Sequence, residues 1–197
     1  MTKKLEICDK AIELFCERGY DNTPMSHIAK ALDVSKAILY HYFSNKEELL
    51  FSIIDYQMEK YLSPLIDQAA AIADPEQRLR YFLKNYTRLI ASDSNSRVVL
   101  HETHRLNPEH FKIIRGRHQR VYGLIHDAIA ELEARGRIKT SEKAFCAFAA
   151  IGMCSWTFYW FDHNRGESVD HLADTYIDLF FNGIFNAGSD RAPSERR

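Results

Sequence analysis

The sequence is short of most of the features that chemistry usually needs. Its four cysteines, Cys8, Cys16, Cys146 and Cys154, form no Cys-x-x-Cys pair, so neither a zinc knuckle nor a dithiol redox motif is present. There is no glycine-rich phosphate loop, no nucleophile elbow and no plausible Ser-His-Asp set, which leaves nucleotide and acyl-transfer catalysis without a motif. His101 and His104 are the nearest thing to a metal pair. The second histidine comes too soon for the His-Glu-x-x-His motif, and no cysteine pair completes four ligands. The reading is therefore no metal, no cofactor and no enzyme. Charge of one sign is missing as well, because a formal net charge of −1 exerts no general pull on polyanions. No continuously apolar run reaches the ~18 residues or more that a membrane span needs. The opening MTKKLEICDKAIEL mixes charge into its apolar positions, unlike a signal peptide. A cytoplasmic protein without a membrane partner is expected, its cysteines reduced and packed in helices.

Alternating strand patterns and internal repeats are also absent, and helical periodicity runs almost throughout. Leu5, Cys8, Ala11, Ile12, Phe15 and Cys16 recur at helical spacing up to Arg18, and Gly19 supplies a C-cap. A helix over about 47–62 is expected to stop at Pro64, with a weak segment after it. Asp74-Pro75 opens another, to about Ser92, with Leu79, Phe82, Leu83, Tyr86, Leu89 and Ile90 inward. After the polar break SDSNS come a short helix over 97–105 and a long one from Asn107-Pro108 to Ala134, closed by Gly136. Ser141 starts a strongly apolar helix to about His163. Ser168 starts the last, to about Asn186, and GSDRAPSERR reads as a disordered tail. The fold class is all-α, with 197 residues allowing one or two domains.

The stretch from Asn22 to Leu50 organises the rest. Thr23 is placed to cap a helix beginning at Pro24, and Ile28, Ala29 and Leu32 would face inward. Asp33 tolerates the left-handed backbone of a sharp turn. Ser35 caps a second helix over about 36–43, and Ser44 to Glu47 reads as a capping box. Helix, short turn, helix is the geometry that sets its second member in the major groove of DNA.

These residues also carry a family pattern: Ile28-Ala29, Val34-Ser35-Lys36, Tyr40-His41-Tyr42-Phe43 and Lys46-Glu47-Glu48-Leu49. The segment resembles the N-terminal domain of the TetR family of one-component bacterial repressors. Two departures stand out: Asp33 where the family usually has glycine, and Ala37-Ile38 where Gly-Thr is common, which removes a hydroxyl that could meet DNA. The resemblance implies a three-helix DNA-binding domain over residues 1–47 and an effector-binding and dimerisation domain over 48–187, with 188–197 as tail. It implies DNA contacts from Ser26, His27, Ser35, Lys36, Ala37, Tyr40, His41, Tyr42 and Lys46. The partners implied are a palindromic double-stranded operator, a second copy of the chain and a small-molecule effector that releases the DNA.

Two later stretches bear on assembly and effector. AFCAFAAIGMCSWTFYWF, residues 144–161, is apolar on every side, so one face needs a cover beyond the chain's own core. In the family the last two helices form a four-helix dimer interface. On the long helix from Pro108, the apolar stripe is Phe111, Ile114, Val121, Ile125, Ala128, Ile129 and Leu132. His118 and Tyr122 fall within it and Arg115 on its border, whereas Lys112, Arg117 and Arg120 point away. This is either a satisfied core histidine with a snorkelling arginine or the wall of a pocket for an anionic ligand. Gly152-Met153 followed by Trp156 and Trp160 resembles the acyl-CoA-responsive branch of the family. That implies a CoA thioester held by Tyr86, Arg115, His118, Tyr122, Met153, Trp156 and Trp160. The alternative is a repressor of an efflux gene that answers to a hydrophobic drug-like ligand. A helical enzyme is a remote third reading.

Overall fold

The computed structural model describes residues 3–92, 96–138, 142–162 and 168–182, and among them every regular element is helical. The head consists of α1 (Lys3–Arg18), α2 (Met25–Ala31) and α3 (Lys36–Tyr42), followed by α4 (Lys46–Gln57). α1 buries Ile7, Cys8, Ala11, Ile12, Leu14 and Phe15 along one face, against Ile28, Leu39, Phe43 and Leu49, which are all fully enclosed. The left-handed turns fall where the sequence places them, with φ of 81° at Gly19 and 53° at Asp33.

Two caps differ from expectation. Thr23 does not cap α2: its buried hydroxyl donates to the carbonyls of Leu14 (3.3 Å) and Gly19 (2.9 Å). A hydroxyl with no access to water must find an acceptor, and the carbonyl-rich end of α1 lies closest. The capping box stands one residue later than read. Asn45 accepts from the Glu48 N–H at 2.8 Å, and the Glu48 carboxylate takes the Ser44 N–H at 2.6 Å. The Ser44 hydroxyl, donating at 2.5 Å, and then the Ser44 N–H hold the Glu48 carboxyl below its usual range.

Pro64 does not stop the chain. α4 passes through a π-helical turn (Met58–Leu62) straight into α5 (Ser63–Ala70). The Ser63 N–H reaches back five residues to the Met58 carbonyl. This wider turn accommodates a ring that would clash with the carbonyl four residues earlier, and proline has no N–H to lose at the start of α5. Leu65, Ile66 and Ala69 are buried, so packing carries the helix past the proline.

The body comprises α6 (Pro75–Ser92), α7 (Ser96–His101) with a 3-10 turn (Glu102–Arg105), α8 (Pro108–Ala134), α9 (Lys143–Trp160) and α10 (Val169–Asn182). α6 is the axis, touching α5, α8, α9 and α10, and it buries Leu79, Phe82, Leu83 and Tyr86. Asp74 caps α6 by accepting from Gln77 N–H at 2.9 Å, and Asn107 caps α8 by accepting from His110 N–H at 2.9 Å. α9 ends at Trp160, a few residues earlier than expected, and α10 is described as far as Asn182. Residues 93–95, Ser141, His163 and everything from Gly183 onward, including the tail, lie outside the described residues.

Head and body are clamped by polar contacts. Arg105 grips the Asp21 carboxylate with two bonds of 2.8 and 2.7 Å. Glu47 accepts from the Asn107 N–H at 2.9 Å and lies 2.9 Å from His110 Nδ1, while the His110 ring stacks on Phe51 at 3.8 Å. Along α8, Arg117 holds Asp55 of α4 at 2.6 Å and also meets Glu59 of the π-turn, and Arg120 holds Asp67 of α5 at 2.7 Å.

Candidate functional site

α3 is almost entirely a presented surface. Leu39 alone anchors it, and Ser35, Lys36, Ala37, Ile38, Tyr40 and His41 are exposed. The Ser35 side chain accepts from the Ile38 N–H at 3.4 Å, which fixes where the helix begins. Tyr40 is 52% exposed, and Tyr42 is half-buried with its ring edge-on to His41 at 5.2 Å. From α2, His27 is exposed and Ser26 half-buried. So a single short helix offers one ammonium, an imidazole, two phenols and a serine hydroxyl to the outside, on a base of one leucine. That is a small electrostatic footprint suited to a few placed phosphate and base contacts. Lys46 stands apart from this group. Its ammonium turns back to the Tyr20 carbonyl and sits 3.9 Å over the Tyr20 ring, and the burial lowers its pKa. Ile38, missed from the sequence because it is apolar, is 39% exposed beside Ala37 on the presented face.

At the other end of α4 lies a cavity of about 40 Å³. Its wall is Gln57 and the π-turn residues Met58, Tyr61 and Leu62, Tyr86, Leu89 and Ile90 of α6, Val99 and Leu100 of α7, and His118 of α8. Tyr86 is 3% exposed. Its hydroxyl pairs with Ser155 Oγ at 3.2 Å, and burial pushes its pKa up to about 12 in spite of that bond. Burial alone lowers the pKa of His118, so the imidazole is neutral at pH 7. Two of the cysteines are unreactive at neutral pH, since burial raises Cys8 to about 12 and Cys154 to about 11, far from a thiolate.

Family models match both parts. Bacterial regulatory proteins of the tetR family match residues 7–53, and the tetracyclin repressor-like C-terminal domain matches residues 73–184, more than half of the chain. The chain belongs to the TetR family. It is a helix-turn-helix transcription regulator of the repressor type, and α3 lies within the matched TetR head. The fatty acid metabolism regulator protein of Bacillus subtilis is 24% identical over 189 residues, 93% of this chain and 96% of that protein. The crystal structure of AibR in complex with isovaleryl coenzyme A and operator DNA superposes with a TM-score of 0.86 at 29% identity, covering 91% of this chain and 98% of AibR. The negative regulator IcaR of Staphylococcus epidermidis, named for the biofilm operon icaADBC, is 48% identical over 46 residues, 23% of this chain and 25% of IcaR. No helix of the described residues is long and apolar enough to cross a membrane.

Within this TetR body the effector residues expected from the sequence divide. Tyr86 and His118 meet in the cavity. Arg115, Tyr122, Met153, Trp156 and Trp160 do not line it. Arg115 is exposed, and Tyr122 is half-buried with its ring 5.1 Å from Phe148 and 5.4 Å from His126. Met153 is half-buried, and Trp156 and Trp160 are 62% and 46% exposed. The reason lies in α9, which turns Ala147, Ala150, Cys154 and Thr157 inward. Its small residues fit against α6 and α8, and that leaves the bulky ones out: Phe145 at 70%, Phe148 at 61% and both tryptophans. Arg117 and Arg120 do point away from the cavity as read, into the acids of α4, the π-turn and α5. His101 and His104 do not converge: His101 Nε2 meets the Tyr159 hydroxyl, and His104 Nδ1 meets the His101 carbonyl. The sequence reading missed Gln57. The inward run Leu49, Leu50, Ile53, Ile54 predicts position 57 in the same phase, so the signal was its place on the stripe.

Proposed function

We propose that the protein is a homodimeric repressor whose two heads hold a palindromic operator and are released by a CoA thioester that enters the cavity. One observation carries this reading: the cavity wall is the far end of the helix that leads out of the head. About 40 Å³ is roughly the space of one or two ordered waters, so any acyl group must widen it. The elements that must move are Gln57, Met58, Tyr61 and Leu62, at the end of α4 and in its π-turn. The operator-binding and effector-binding states then differ in the direction of α4, and an effector acts through its unequal affinity for the two. A coupling of about 1–3 kcal/mol gives about 5–150-fold in operator affinity.

The anionic part of the effector is assigned to Arg115, which stands one turn before His118 on the same side of α8 and is exposed. Likeness to AibR, described with isovaleryl coenzyme A, supports the thioester. The lining holds no acid, which disfavours a cationic drug-like ligand. The domain division at 47/48 follows the same logic, since α4 belongs to both sites. The exposed stripe Phe145, Phe148, Gly152, Trp156 and Tyr159 is assigned to the second copy, so the tryptophans serve assembly. Such a protein works beside DNA in the cytoplasm and binds the thioester without turning it over.

The test is fluorescence anisotropy on DNA from upstream of the gene, at two salt concentrations, followed by titration with CoA thioesters of increasing chain length. Specific binding relieved by one thioester is the expected result. Specific binding that none of them relieves would discard the effector class and keep the repressor.

A further inference from the structure

Gln57 is the last residue of α4 and is 7% exposed. Its side-chain oxygen is sealed from solvent and has no hydrogen-bond partner, the single such atom among the described residues. An unpaired carboxamide oxygen weakens a fold, and an apolar residue of the same shape would remove the cost. The position lines the cavity, whose other polar groups are the buried Tyr86 hydroxyl, the half-buried His118 ring and the phenol of the exposed Tyr61. Tyr86 is already paired with Ser155. His118 presents a neutral ring, with one donor and one acceptor nitrogen. The remaining wall, from Met58, Leu62, Leu89, Ile90, Val99 and Leu100, is apolar, and the lining contains neither a carboxylate nor a cation.

These facts narrow what can fill the cavity once it widens. A saturated chain would leave Gln57 Oε1 buried and unpaired. A carboxylate offers only acceptors, so it would oppose that oxygen with no cation to balance its charge. An ammonium group would find no counter-charge. A hydroxyl meets both demands, since it donates to Gln57 Oε1 and accepts from the neutral imidazole. We infer that the cavity selects a short aliphatic chain carrying a hydroxyl, and that Gln57 is the residue that reads it. Resting on the effector reading above, this makes the ligand a hydroxyacyl thioester, with Gln57 rejecting the saturated analogue.

Isothermal titration of the full-length protein with butyryl-, 3-hydroxybutyryl- and 4-hydroxybutyryl-CoA tests it. One hydroxylated thioester is expected to bind roughly fivefold or more tightly than butyryl-CoA, the effect of pairing one buried polar group. A smaller preference overturns the inference, even if butyryl-CoA binds well and the effector class stands. Gln57→Leu, and Gln57→Met in case leucine packs poorly, should abolish the preference, strengthen butyryl-CoA binding and raise the thermal midpoint of the free protein. A preference that survives both substitutions assigns the selection elsewhere and sinks the role of Gln57. If no thioester binds, the proposed function fails, and the cavity is judged by NMR of the Gln57 side-chain amide with 1-butanol and n-pentane. The alcohol must then shift that resonance saturably and more than the alkane, and an equal response to both overturns the inference.

Discussion

The exposed helix α3 and the cavity beside Gln57 sit at opposite ends of α4 and are built on opposite plans. α3 rests on a single buried side chain, Leu39, and turns its polar groups out. The cavity is lined by polar groups set among apolar walls, and one of them, the sealed Gln57 oxygen, has no partner. A surface that must meet phosphates keeps its donors hydrated until DNA arrives, at little cost to the fold. A pocket that discriminates must keep polar atoms dry beforehand, and the fold is weaker for it. The head therefore needs a firm seat, and the cavity needs a deliberate flaw.

The largest test of this contrast falls on the seat. Leu39→Ala should cost about 2–5 kcal/mol, as for other buried leucines cut to alanine. Urea unfolding should show that loss, and operator binding should disappear with it. Next comes Trp156→Ala, which should weaken the dimer by about 2 kcal/mol, the scale of an interface tryptophan. Sedimentation would record the dissociation while thioester affinity of the remaining dimer is unchanged, and a loss of thioester affinity instead would return Trp156 to the pocket. Lys36→Ala should reduce the slope of log K against log salt by about one phosphate's worth, with effector affinity untouched. The smallest effect is one of pH. The folded pKa of His118 lies below its ordinary 6.5, so the unfolded chain binds the extra proton first. Stability is then full above that value and declines as pH falls through the interval down to the folded pKa. His118→Phe should flatten this part of the stability profile below 6.5, measured by denaturant midpoints at stepped pH.

Much of the helix framework was legible because its signals are local. Ser35, Asp33 and Asn107-Pro108 act on neighbours within four residues, and the structure uses each as the spacing predicts. His118 was legible through helical phase. Thr23 was not, because its hydroxyl turns back to the carbonyls of Leu14 and Gly19 at the end of the preceding helix instead of forward to α2. Pro64 was not either, since the burial of Leu65, Ile66 and Ala69 overrides a local veto. A helix apolar all round, such as α9, does not say which side its own core will claim. Small residues won that side, and the tryptophans were left outside. Gln57 lay in the right phase and was passed over for being polar.

The π-turn at Met58–Leu62 also sets an angle. It seats one residue more than an α-helical turn would, and a residue of α-helix is worth about 100° of rotation. Everything before it, the head included, is thus rotated about the helix axis relative to α5 and the body. Removing one residue here, for instance the exposed Lys60, would restore regular winding and rotate both heads of a dimer alike, so that neither kept its bearing on the body. Register along one helix is thereby converted into the bearing of a whole domain.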